Sequence, residues 1–422
     1  MSSHFIDDVA IVGAGASGLM AGIHCSRSSL RTLILEGSGK IGAKILMSGG
    51  TRCNVTNRNV TERDYGSDSP QKVRHILAAF PVQKTVSFFQ EIGVKLVPEQ
   101  GGEYFPETNS ARTVLDALLR ELQKSGATLL AGRKVTKLFH DGEVFKIQTV
   151  REMFEAKTCV LATGGLSYPE TGSDGSGYAL AQSFGHSIVP TTPALTPLTT
   201  VHKLWQGLSG ISLPVRLVLW SGGRRRITFE GPLLFTHFGF SGPAVLNMSR
   251  FWLRFRECLP TEIRVAFLPD LSEEKFQTLL DQDRSRTPWK NLKSLLGGKF
   301  PDRFVDALLK EIGIPTGRQL GELRKNETAR LVKALFAYPL PISGTLGYEK
   351  AEVTAGGVSL EEVHTATLES KKQTGLFFAG EILDADGRIG GFNFQWAWSS
   401  AVVAAQGVMK QAHVHRGGVQ RA

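Results

Sequence analysis

Apolar and polar positions follow three different rhythms along this chain. Near the start, DDVAIVG and RTLILE are apolar runs of strand length, and between them LMAGIHCSRS carries small and apolar residues at helical spacing. Together they predict a β-α-β unit. Further on, TCVLATGG and GLFFAGE predict buried strands ended by glycine, GRKVTKLF predicts another strand, and RIGGFNFQWAWSSAVVAAQG predicts a glycine turn entering a helix. The rhythm changes between 198 and 270, where VRLVLW, RRRITFEGPLLF and IRVAFL follow one another at hairpin spacing. It changes again between 271 and 335, where LSEEKFQTLLDQ, DRFVDALLKEIG and ETARLVKALF place apolar residues three or four apart, predicting helices. The proline-rich VPTTPALTPL marks the first of these changes as a boundary, and the polar tail QAHVHRGGVQRA is expected to fray.

These patterns predict an α/β protein. A Rossmann-type domain is assembled from residues 1–190 and 350–422, a β-barrel-like insertion takes 191–270 and 336–349, and a helical insertion takes 271–335. At 422 residues and 41% hydrophobic, the chain has enough material for two or three cores. No run approaches the ~20 apolar residues that span a bilayer, so a cytoplasmic protein with no membrane association is expected. Cys25, Cys53, Cys159 and Cys258 form no C-x-x-C pair, which argues against a disulfide framework and against a metal site. The net charge of +10 is uneven: residues 191–350 hold 23 Lys and Arg against 14 Asp and Glu, a surplus of +9.

The first chemistry lies in GAGASG. Gly13, Gly15 and Gly18 stand at the strand-to-helix junction with Ala14, Ala16 and Ser17 between them. The first glycine makes the turn, the second lets backbone approach a pyrophosphate, and the third packs helix on strand. Glu36 ends the second strand, where it can accept hydrogen bonds from a ribose, which favours FAD or NAD over NADP. The segment GSGKIGAKILMSGGTRCNVTN then predicts a long glycine-rich loop, in which Lys44 and Arg52 address phosphate and ribityl oxygens of a long cofactor. The N–H groups of the last helix start, at Gly390, Gly391, Phe392 and Asn393, are placed to stabilise negative charge on a reduced flavin.

Five ordered blocks carry a resemblance: VAIVGAGASGLMAG with LILE; KILMSGGTRCNVTN; LATGGLSYPETGSDGSGYALA; LLFTHFGFSGPAVL; and AEVTAGGVSLEEV followed by GLFFAGEILDADGRIGGFNFQWAWSSA. They resemble the BaiN/YhiN-like family of NAD(P)/FAD-dependent oxidoreductases, flavoproteins of glutathione-reductase-like fold. The resemblance implies non-covalent FAD lined by Ala162, Thr163, Gly164 and Gly165, with Val135 near the adenine through its backbone. It implies that Gly380 and Glu381 lie at the ribityl chain and that Arg52, Cys53 and Asn54 lie beside the cofactor. One departure is visible, since this chain has Thr51 where the family commonly has a third glycine. Cys53 has no second cysteine nearby and is expected to pack rather than to react.

The function these features imply is an FAD-dependent oxidoreductase passing hydride through flavin N5 to or from a small organic substrate, by enone reduction or amine oxidation. No separate β-α-β unit is evident for a resident nicotinamide, so NAD(P)H is expected as a transient co-substrate. His237 in THFGFSGP and Tyr168 in GGLSYPETGS are the candidates for proton transfer. The alternative is a flavin-dependent tRNA-modifying or nucleic-acid-binding protein, motivated by the basic insertion. The alternating charges on its helices argue against nucleic acid as a partner.

Overall fold

The computed structural model describes residues 6–419, and the chain separates into two compact units, one running up to Pro193 and resuming at Glu352, the other Ala194–Ala351. The first unit is built on a seven-stranded sheet. Its parallel part sets Thr128–Leu130, Thr32–Leu35, Asp7–Val12 and Met153–Leu161 side by side, with Leu376–Phe378 joining the last of these. The strands are buried on both faces because helices cover them. Ala16–Arg27 packs between the sheet and the long final helix Phe392–Val419. A short antiparallel meander, Val135–His140 with Phe145–Thr149, extends the sheet from the start of Met153–Leu161.

Register decides where the loops go. Val12 lies beside both Leu35 and Leu161, and Leu161 lies beside Phe378, so four strands end at one level. The segments that follow them, beginning at Gly13, Glu36, Ala162 and Ala379, therefore leave from one edge of the sheet. Segments more than 360 residues apart in sequence become neighbours there.

The second unit is a seven-stranded antiparallel sheet in the order Tyr338–Pro339, Thr261–Ala266, Ser212–Ser221, Arg224–Thr236, Gly239–Ser241, Leu198–Thr199, Gly344–Thr345. Strand residues alternate inward and outward, as Leu213, Val215, Leu217 and Leu219 do. The helices of 271–335 share this unit's core: Phe304 and Leu308 are fully buried in the same cluster as Trp205, Phe235 and Phe267.

Two sequence expectations are corrected. The stretch after the second strand is not all loop, because Ala43–Thr51 is helical up to a break at Ser48–Gly50. The final helix runs Phe392–Val419, so the expected polar tail from Gln411 begins as helix, and residues 420–422 lie outside the described residues.

A buried titratable group sits in the first helix. His24 stacks on Phe88 with ring centroids 5.7 Å apart, and its Nε2 is buried without a partner. Burial first, and Arg27 second, hold its pKa down to about 4 from an ordinary 6.5. The unfolded chain takes this proton more readily, so the contribution to stability is whole above about pH 6.5 and is lost as pH falls toward 4. At pH 5 that loss is about 2 kcal/mol. Urea unfolding at pH 7 and pH 5 should show a larger drop for the wild type than for His24→Phe, which keeps the stacked ring and removes the titration. Equal drops would remove His24 from the account.

Candidate functional site

The glycine turn is packed as tightly as its motif demands. A Cβ on Gly13 would stand 2.5 Å from the Ala162 carbonyl oxygen, and one on Gly18 would stand 1.9 Å from the Gly13 carbonyl oxygen. Neither position has room. Gly15 differs, because a Cβ there meets nothing within 4 Å, and it caps the first helix with no side chain covering the helix's N–H groups. Open space in front of unsatisfied donors at the positive end of a helix is the arrangement a pyrophosphate fits.

Glu36 closes one side of this cradle. Its carboxylate accepts from Ala14 N at 2.7 Å and Ser38 N at 2.8 Å, and its own carbonyl accepts from Arg133 N at 2.7 Å. The last contact brings Val135, two residues on, to the same side. A carboxylate has about four acceptor positions, so two remain for ribose hydroxyls. On the other side, Ser17 lies under Gly380, where a Cβ would stand 2.4 Å from the Ser17 hydroxyl. Thr163, in the loop that crosses the turn, has a buried hydroxyl with no partner. That hydroxyl lies against Gly177, where a Cβ would stand 1.8 Å from it. Gly164 and Gly165 follow, pressed against Ser173 and Thr354.

Glu381 is held by three contacts. Lys44 Nζ approaches one carboxylate oxygen at 2.6 Å, while Ser167 Oγ at 2.7 Å and Thr354 N at 3.0 Å donate to the other; Lys44 also donates to Ser167 at 2.8 Å. Lys44 thus reaches an acid rather than standing free for a phosphate. Trp396 Nε1 donates to the Gly380 carbonyl at 3.0 Å, and Gly380 N donates to Ser400 Oγ at 2.9 Å, so the final helix fixes the same turn. Sequence reasoning missed Ser167, Thr354, Trp396 and Ser400 as contributors. Trp396 and Ser400 are spaced four apart on a predicted helix, which is the signal that places them on one face.

The SGGTRCN segment is a left-handed turn. Gly49, Gly50, Thr51 and Cys53 all have positive φ, with Thr51 at 71° and Cys53 at 62°. For a β-branched residue this conformation costs of order 1–3 kcal/mol, which gives a physical reason for glycine at the Thr51 position in the resembling family. The turn delivers Asn54 to the start of the final helix, where its amide oxygen accepts from Gly391 N at 3.1 Å and its nitrogen donates to the Thr56 carbonyl at 3.0 Å. Asn393 is likewise engaged, bonding both N and O of Gly387. Phe392 is fully buried, and Gly390 stands within reach of its ring. Arg52 pairs with Glu99 at 2.6 Å and lies 3.9 Å above the Phe105 ring. Cys53 is fully buried, and burial pushes its thiol up to about 12 with Ser48 lowering it less, so it is a neutral thiol at physiological pH.

The two proton-transfer candidates fall in different units. Tyr168 belongs to the first, half-buried beside the Ala162–Gly165 loop with φ 50°, and burial followed by the Glu352 carboxylate raises its phenol pKa. His237 belongs to the second, exposed in the turn between Arg224–Thr236 and Gly239–Ser241, with its ring 4.9 Å from Phe238.

A parallel sheet whose strand ends converge on a glycine cradle and a strand-terminal acid has the form that takes a dinucleotide, and the chain is an FAD-dependent oxidoreductase. The chain belongs to the HI0933-like Rossmann family: the family's sequence model, the HI0933-like protein Rossmann domain, matches residues 7–407. It is 35% identical over 408 residues to a ribosomal RNA dihydrouridine synthase of Haemophilus influenzae, covering 95% of this chain and 98% of that one. It is 32% identical over 401 residues to a 3-dehydro-bile acid delta(4,6)-reductase of Clostridium scindens, covering 94% and 98%. Among solved structures, Mycobacterium smegmatis Sdh1 in complex with UQ1 superposes with a TM-score of 0.50 at 15% identity, over 97% of this chain and 69% of that one, a likeness of fold. Among the described residues no helix is long and apolar enough to cross a membrane, and no group of three His, Cys, Asp or Glu could hold a metal.

The glycines make opposite predictions. Gly18→Ala should destabilise the fold through its collision with Gly13, whereas Gly15→Ala should leave the melting temperature of the FAD-free protein unchanged and weaken FAD binding about tenfold or more, roughly 1.4 kcal/mol. Thermal melts of apo-protein and fluorescence titration with FAD separate the two. Full FAD affinity in Gly15→Ala would mean that the pyrophosphate does not rest there.

Proposed function

We propose that this protein reduces a carbon–carbon double bond conjugated to a carbonyl, with NAD(P)H as the reductant. The observation that carries this reading is the bond shared by two relatives matched along almost their whole length. Making dihydrouridine saturates the uracil double bond beside a carbonyl, and a delta(4,6)-reductase of a 3-oxo bile acid saturates double bonds conjugated to the 3-oxo group. The substrates differ greatly. The reacting group is the same, which favours enone reduction over amine oxidation.

When bound, FAD supplies two-electron hydride chemistry. The chain's own residues have three tasks. The free N–H groups from Gly15 onward and Glu36 hold the nucleotide half, and Glu381, braced by Lys44, Ser167 and Thr354, presents a fixed carboxylate to the ribityl chain. Saturating the bond also needs a proton at the carbon next to the carbonyl. Tyr168 is the group we assign to it, because its loop adjoins the cofactor loop and its phenol, whose pKa burial raises further, carries its proton at neutral pH.

A second reading, in which the substrate is a uridine in RNA, is favoured by the charge of one unit. Residues 194–351 hold 23 Lys and Arg against 14 Asp and Glu, leaving +1 of the net +10 for everything else. Together with the Haemophilus relative, this reopens the nucleic-acid reading that charge alternation on the helices had argued against.

Anaerobic stopped-flow absorbance tests these statements. NADH or NADPH should bleach the flavin, and a 3-oxo-4-ene steroid or unmodified rRNA should restore its colour, the effective acceptor identifying the substrate class. Tyr168→Phe should keep flavin content and reduction by NAD(P)H while slowing reoxidation by the acceptor 10²- to 10⁴-fold. Reoxidation at the wild-type rate would remove Tyr168 from the reaction, and reoxidation by amine-derived imines alone would contradict enone reduction.

A further inference from the structure

The positive surplus of the second unit is concentrated at one end of it. Residues 194–266 hold nine Lys and Arg against three Asp and Glu. Two of the three acids are taken: Glu230 pairs with Arg216 at 2.5 Å and Glu262 with Arg264 at 2.5 Å. The remaining cations fall mainly in two places, Arg224, Arg225 and Arg226 just past a hairpin tip, and Arg254 and Arg256 in the last turn of the helix Pro243–Arg256.

The fold joins these two places. Gly222 N at the hairpin tip donates to the Pro260 carbonyl at 3.1 Å, just beyond the helix, and a Cβ on Gly222 would lie 3.2 Å from the Leu259 side chain. Arg226 lies 5.5 Å from the centre of the Phe255 ring on that helix, and Arg256 lies 4.2 Å from the centre of the Trp252 ring. Arg226 and Arg256 thus lie over neighbouring rings at one helix end, with Arg224, Arg225 and Arg254 close to them along the chain and Glu257 as the acid among them. A helix C-terminus favours nearby cations, which accounts for Arg254 and Arg256 alone. Basic residues on an open strand edge discourage aggregation, which accounts for the hairpin alone. Neither explains why the two sets are brought together while the neighbouring acids are neutralised by other arginines.

We propose that this surface, Arg224, Arg225 and Arg226 with Arg254 and Arg256, binds the phosphate backbone of RNA. The proposal rests on the RNA reading above and locates the contact within the second unit. Arg226 and Arg256 lie over the Phe255 and Trp252 rings, and Arg226 donates through Nε to the Ser221 carbonyl at 3.3 Å, which leaves its Nη groups for phosphate oxygens. An anionic membrane is the poorer fit, because among the described residues Leu259, 40% exposed, is the one large apolar side chain exposed beside the arginines, and interfacial binding needs a wider apolar face.

The test uses FAD-loaded protein and an in vitro transcribed, unmodified rRNA hairpin, with binding followed by fluorescence anisotropy across a series of potassium chloride concentrations. Two double variants are compared with wild type, Arg224→Gln with Arg225→Gln, and Arg254→Gln with Arg256→Gln. Each should lose affinity tenfold or more, and the slope of log affinity against log salt should become shallower by roughly one for each phosphate contact removed. Flavin content, melting temperature and the rate of flavin reduction by NAD(P)H should not change. If wild type binds the hairpin with a steep salt dependence and both variants match it, the surface is wrong while the RNA reading stands. If wild type binds no RNA, both fall. Loss of binding to phosphatidylglycerol vesicles in the variants, with RNA affinity intact, would overturn RNA as the partner of this surface.

Discussion

The parallel register of four strands is the constraint on which the site depends. Val12, Leu35, Leu161 and Phe378 end level with one another, and the loops that follow are delivered to one edge of the sheet. A strand offset by one residue would turn its side chains to the opposite face, so the buried apolar runs hold this register firmly. Glycine then sets how closely the loops approach. Gly13 lies against Ala162, Gly18 against Gly13, and Gly380 against Ser17, each at a distance that excludes a side chain. The cradle at Gly15 is the space left when those contacts are made.

The parts of this arrangement that were legible in the sequence are those fixed by local rules. The β-α-β unit, the glycine turn, Glu36 at a strand end and the glycine turn before the final helix all follow from periodicity and spacing. What was not legible depends on contacts distant in sequence. Lys44 reads as a cation for phosphate, yet the fold sets it against Glu381, 337 residues later. SGGTRCN reads as a flexible loop, yet it continues a helix and then turns left-handed at Thr51 and Cys53, a conformation only neighbouring backbone can impose. The barrel-like and helical insertions read as separate because their periodicities differ. They share a core because Phe304 and Leu308 from the helices and Trp205 and Phe235 from the sheet region fill the same interior.

Charge follows a different logic from shape. The first unit is nearly neutral, and what it offers an anion is backbone N–H groups at a helix end rather than a cationic field. The second unit carries nearly all the surplus, gathered where a hairpin tip meets a helix end. The reacting bond named by both relatives, a double bond beside a carbonyl, is compatible with either a free small molecule or a base in RNA.

The Gly15 cradle and Glu36 are shaped for the adenine-nucleotide half of FAD, the half that FMN lacks. Fluorescence titration of the flavin-free protein with FAD and with FMN tests it most directly. FAD should bind at one per chain and be released intact on denaturation, and FMN, which lacks the adenosine and the second phosphate, should bind at least a hundredfold more weakly, a difference of about 2.7 kcal/mol. Equal affinity for FMN would show that the glycine cradle and Glu36 hold no nucleotide and would contradict the account.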